Sequence, residues 1–125
     1  MTPETVEGLV NVVKMQVNLA CIALDKMGLL EDYLNEIPVE TTNRRGMKAG
    51  FFHGLGDGDV GRVVINVGVC YDEQRFVDTL IHELAHAVCH WVHGKDKDSH
   101  GPKWKAIMVQ LGQKPGRCHN YMDRK

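Results

Sequence analysis

The chain has 125 residues, 43% of them hydrophobic, with 15 Lys or Arg against 16 Asp or Glu and a net charge of −1. That length fits a single domain over 1–125 built on one hydrophobic core, and near-neutrality argues against general nucleic-acid coating. No run of about 18 apolar residues marks a membrane span, no basic n-region precedes an apolar stretch, and four scattered cysteines suit a reducing compartment, so the expectation is an intracellular, cytoplasmic chain with no membrane partner.

The first element starts at Thr2-Pro3-Glu4, where a threonine N-cap, a proline in the first turn and an acid facing the dipole form a helix-start signature. Val6, Leu9, Val10, Val13, Val17, Ala20 and Leu24 keep helical spacing as far as Gly28. A short second helix is expected over 29–35, stopped by Pro38. The pattern then changes to short β-type runs at Val39–Thr42, 49–53 and 62–67. Between the last two, residues 54–59 read as a hairpin loop rich in glycine and aspartate, without the spacing or closing glutamate of an EF-hand. Either of those two runs is expected to supply an edge strand to which a substrate backbone adds.

Residues 76–92 pattern as one amphipathic helix, capped by Asp72 with Glu73 in the first turn and closed by Gly94. Leu80, Ile81, Leu84, Ala85 and Val88 form its apolar stripe. Gly101-Pro102 opens a last helix that turns Trp104, Ile107, Met108 and Leu111 inward and ends at Gly112. Residues 113–125 show no clear periodicity. The fold class is α+β: an N-terminal helix, a small mostly antiparallel sheet, and two helices after it.

Within the amphipathic helix stands His82-Glu83-Leu84-Ala85-His86. Histidines four apart share one helical face, about 6 Å from turn to turn, and both can reach one tetrahedral Zn²⁺. Glu83 lies roughly 100° around the helix, poorly placed as a ligand but able to take a proton from water at the metal's open side. A third ligand is needed. No glutamate follows Glu83, and Cys89 and Val92 occupy the places where a metzincin would carry glycine and histidine. His90 and His93 continue along the helix too far from His82 to share its ion, and read as surface or supporting residues. Asp96, Asp98, His100, Cys118 and His119 remain as candidates; His100 is the best placed, between the turn at Gly94 and the new helix at Gly101-Pro102. Asp78, one turn before His82, reads first as a solvated acid and second as a group that orients that imidazole.

The stretch Thr79-Leu80-Ile81-His82-Glu83-Leu84-Ala85-His86-Ala87, followed by His100-Gly101-Pro102-Lys103-Trp104, Met108 and Leu111-Gly112, resembles the SprT family of zinc metallopeptidases, whose eukaryotic members include Spartan. Lys48 to Phe52 and Arg62 to Asn66 resemble the strands ahead of that family's active-site helix. The resemblance covers about residues 40 to 112 and implies a zincin-like fold, with His82, His86 and His100 as zinc ligands and Glu83 as general base. It also implies hydrolysis of protein or peptide substrates, in the Spartan branch those bound or crosslinked to DNA. Members often carry a C-terminal zinc ribbon; with no CxxC pair here, the expectation is a bare catalytic domain.

Charge is unevenly spread. Residues 1–42 hold two lysines against seven acids, and residues 84–125 hold eight Lys or Arg against three Asp. Lys95, Lys97, Lys103, Lys105, Lys114, Arg117, Arg124 and Lys125 would give DNA a basic C-terminal rim, or are ordinary solvated lysines and arginines. Tyr71, His90, His119 and Tyr121 are candidate donors to a tetrahedral oxyanion. Two other functions remain open: a non-catalytic, metal-stabilised adaptor, and a zinc hydrolase of a non-peptide amide.

Overall fold

The structure is a computed structural model and describes residues 1–24, 28–54, 60–94 and 100–114. Helix α1 (Pro3–Cys21) begins where Thr2 Oγ1 accepts the Thr5 N–H at 3.1 Å, and runs into a 3₁₀ turn at Ile22–Leu24. It buries Val13, Val17 and Cys21, while Lys14 Nζ donates to the Ile37 carbonyl at 2.6 Å. Helix α2 (Leu30–Glu36) contributes Leu30, Tyr33 and Leu34 to the same core. Tyr33 Oη lies 3.2 Å from the carbonyls of both Val60 and Ala87, sharing its one hydrogen between a loop and a buried helix.

Strands β1 (Val39–Thr42), β2 (Gly50–His53) and β3 (Arg62–Asn66) pair in the order β1-β3-β2. Val39 faces Val63 in a parallel ladder, and Phe52 faces Val63 in an antiparallel one. The sheet is thus mixed, which corrects the expectation of a mostly antiparallel one. Burial gives the reason. Val63, Val64 and Ile65 are buried on both faces of β3, so β3 must be central. β2 takes one flank through its hairpin. β1 is left with the other flank, where it runs parallel to β3. As the central strand, β3 has no free edge; the edges belong to β1 and β2, and β2 is the edge strand packed against α3.

Two local devices fix β2 in place. Asn66, fully buried, donates from Nδ2 to the carbonyls of Arg44 and Met47 at 3.1 and 3.0 Å and accepts the Gly68 N–H at 3.0 Å. Every polar atom of that side chain is satisfied, and the connection entering β2 is tied to the exit of β3. Gly50 has no side chain because there is no room for one: a Cβ there would stand 2.9 Å from the Val64 carbonyl oxygen and 3.0 Å from Thr79 Cγ2. Strand and helix approach closely at that point.

Helix α3 (Glu73–His93) is the centre of the molecule, packed by α1, β2, β3 and α4. Asp72 Oδ1 accepts the Arg75 N–H at 2.8 Å as its N-cap, and Gly94, at φ 77°, ends it. Phe76, Leu80, Leu84 and Val88 repeat every fourth residue and are completely buried. Helix α4 (Pro102–Gln110) starts at Gly101, buries Trp104, Ile107 and Met108, and closes at Gly112, φ 74°.

By length and composition the Pro3–Leu24 segment is apolar enough to cross a membrane, with mean hydropathy 1.3 and 17% of its window buried. Its valines, leucines and other apolar residues raise the mean, while Asn11, Lys14, Gln16 and Asn18 interrupt it, so no unbroken apolar run of about 18 residues is present.

Gly50→Ala is expected to lower stability by about 1–3 kcal/mol through overpacking against Val64 and Thr79. Urea unfolding measures it, and a variant as stable as wild type would show that β2 and α3 can part at no cost.

Candidate metal and proton-transfer site

His82 and His86 leave α3 one turn apart, and His100 enters from the residue just ahead of Gly101, the α4 N-cap. One ring nitrogen from each of the three lies within 4.8 Å of the others. His86 Nε2 and His100 Nε2 are 3.1 Å apart. Two nitrogens bound to one tetrahedral zinc at 2.0–2.1 Å stand about 3.3 Å apart, so the pair sits at ligand spacing before any ion is considered. The donor set fits a metal ion, and three imidazoles leave room for a fourth ligand.

Trp104 holds this group from behind. Its indole is 1% exposed. It stacks on His86, centroids 5.1 Å apart and planes 15° from parallel. It meets His82 and His100 edge-on at 4.9 and 4.8 Å. An aromatic plate touching all three rings restricts their rotation, which is what a pre-formed ligand set needs. Among the described residues the buried Trp104 Nε1 has no hydrogen-bond partner, a polar cost at a residue held for its shape.

Burial shifts two titrations in opposite senses. Glu83 is only 6% exposed, and loss of water pushes its pKa up to about 7, against the pull of the Lys48 ammonium and the Phe52 backbone N–H. His86 is pushed down to about 4, chiefly by burial, then by His100 and by Lys48. At neutral pH its imidazole is therefore uncharged, with a lone pair for a metal. Lys48, just ahead of β2, and the Phe52 amide within it escaped sequence reasoning. They come from a segment more than 30 residues away from Glu83 in the chain, and no local periodicity signals the approach.

Other candidates fall elsewhere. Asp78 accepts from Gln74 Nε2 at 2.9 Å, an exposed contact between neighbouring turns of α3. The Tyr71 ring lies 4.6 Å beneath the Arg75 guanidinium and lines a groove between the start of α1 and β1, away from the histidines. His90 packs its ring on Phe52, centroids 5.7 Å apart, one turn beyond His86. Lys103, Lys105 and Lys114 are exposed. Asp96, Asp98, Cys118, His119 and Tyr121, the 55–59 part of the hairpin loop, and Lys95, Lys97, Arg117, Arg124 and Lys125 lie outside the described residues. Among the described cysteines, Cys21, Cys70 and Cys89 are buried.

An α+β domain that gathers three histidines able to hold one metal ion, next to a desolvated carboxylate, defines the class of protein. The model of the SprT-like family matches residues 28–123, and the chain belongs to that family. It is 43% identical over 78 residues to Protein SprT of Pseudomonas putida strain GB-1, a match covering 62% of this chain and 46% of that protein. With Protein SprT of Pseudomonas paraeruginosa it shares 35% identity over 88 residues, 67% of this chain and 50% of the relative. With the human germ cell nuclear acidic protein it shares 36% over 66 residues, 48% of this chain and 9% of the relative. The chain thus spans about half the length of the bacterial relatives it matches. No solved structure matches it.

Two outcomes follow from this geometry. Trp104→Phe, which keeps an aromatic ring, should fold yet bind metal about tenfold to a hundredfold more weakly, the size of effect usual for residues that orient ligands. Competition with a chromophoric chelator reads this directly, and an unchanged affinity would remove Trp104 from that role. In metal-free protein, Glu83 takes up a proton on folding between its unfolded pKa near 4.5 and its folded pKa near 7. Its contribution is complete below about pH 4.5 and lost as pH rises through about 7, a loss of about 3 kcal/mol. Metal-free Glu83→Gln should therefore be more stable than wild type at pH 8 and similar at pH 4; thermal melts at the two pH values test it.

Proposed function

We propose that this protein is a zinc-dependent metallopeptidase with His82, His86 and His100 as metal ligands and Glu83 as general base. The supporting observation is the convergence of three ring nitrogens within 4.8 Å beside a carboxyl group whose pKa is about 7. Zinc bound to those nitrogens would lower the pKa of water and polarise a peptide carbonyl as a Lewis acid.

The protein's own residues do the rest. Glu83, balanced near neutrality, takes the proton from the attacking water and delivers it to the leaving amine. The Phe52 N–H and the Lys48 charge favour its carboxylate form and keep it ready to accept. His86, uncharged at working pH, needs no deprotonation before it binds metal. Trp104 holds the ligand rings in register. β2, the edge strand on the α3 side of the sheet, offers backbone groups for an extended substrate to join as an extra strand.

For the substrate, we favour proteins bound or crosslinked to DNA, a reading that rests on the resemblance and on the exposed Lys103 and Lys105 of α4. The zincin-like classification and a cytoplasmic location belong to the same proposal.

Glu83→Gln is expected to keep stoichiometric metal and lose at least about a hundredfold in kcat. His100→Ala should lose both metal and activity. Casein and histone, incubated with the protein with and without single-stranded DNA or a chelator, provide the readout. Chelator-sensitive cleavage supports the peptidase, and DNA stimulation supports the substrate class. Metal content without any cleavage would favour a binding module instead. Because a bound cation favours ionised Glu83, kcat/KM should fall on the acid side with an apparent pKa at or below about 7. An acid limb well above that value would show that another group governs the step.

A further inference from the structure

Helix α1 is apolar on two sides, and only one is used inside the molecule. Val13, Val17 and Cys21 face the core. On the other side Val12, Met15 and Leu19, with Ile22 at the start of the 3₁₀ turn that follows, are 46%, 57%, 65% and 57% exposed. Isolated exposed apolar side chains are ordinary, but a continuous row is not. These four follow one another at steps of three, four and three, the spacing that keeps a seam turned toward a neighbouring helix. Gly8 continues the same phase toward the N-terminus, and open space surrounds its Cα.

We infer that this seam pairs with the same seam on a second copy of the chain, forming a weak twofold dimer through α1. The flanking residues point to self-pairing. Asn11 and Asn18 lie on one side of the row and Gln16 and Ala23 on the other, so the face meets itself without opposing like charges. A membrane surface would favour lysines and arginines along those flanks. The helix has one, Lys14, and its ammonium is turned away to the Ile37 carbonyl at 2.6 Å. The four side chains present roughly 400 Å² per copy, about half of a standard interface, so the dimer dissociates at micromolar or higher concentrations.

Sedimentation equilibrium of the whole chain from about 5 to about 200 µM tests this. The average mass should rise from 14.0 kDa toward twice that value as concentration increases. Leu19→Lys and Met15→Lys replace exposed side chains, so circular dichroism should confirm an intact fold, and each should weaken association at least tenfold. A wild type that stays at 14.0 kDa throughout, or lysine variants that associate as well as wild type, would overturn the dimer. So would monomeric wild type that floats with phosphatidylcholine–phosphatidylglycerol vesicles in a Leu19-dependent manner, which would assign the seam to a lipid surface.

Discussion

Everything else in the structure depends on the burial of α3. From Phe76 to Cys89 this helix is enclosed by α1, β2, β3 and α4, and its buried residues include His82 and Glu83 as well as the apolar ones. A single helix therefore serves as core and as carrier of the polar site. Leu80, Leu84 and Val88 supply the hydrophobic energy that holds it. That enclosure removes water from the two polar side chains next to them. The desolvation that raises the Glu83 pKa is a direct result of the packing that stabilises the fold.

The remaining elements arrange what surrounds that helix. β3 is central because it is buried on both faces, which leaves β2 as the edge nearest α3. Gly50 lets β2 come close enough for the Phe52 amide to act on Glu83. Asn66 secures the connection that leads to Lys48 and β2. On the other side, α4 brings Trp104 against all three histidine rings. The arrangement of the three rings is thus supported by aromatic packing, at the cost of an indole N–H with no partner among the described residues.

Helix α1 behaves differently. It covers part of the core with one face and leaves an apolar row on the other, so burial within one chain does not account for its composition. The same excess of apolar residues gives the helix its membrane-like mean hydropathy. The histidine site draws on α3, α4 and β2 and not on that row, and the proposed dimer would be what covers it.

The elements were legible in the sequence because local signals set them: Thr2 and Asp72 as caps, Gly94 and Gly112 as stops, and period-four apolar residues in α3. His82, Glu83 and His86 were legible for the same reason, since helical spacing alone puts two imidazoles on one face. His100 was favoured by its place before Gly101-Pro102, but its distance from His86 is a fact of tertiary structure. Strand order, the mixed sheet, and the Lys48 and Phe52 influence on Glu83 were all beyond local reading. Periodicity records which face of an element is apolar. Which other segment will meet that face, and which charges arrive with it, depends on long-range packing that only the folded chain decides.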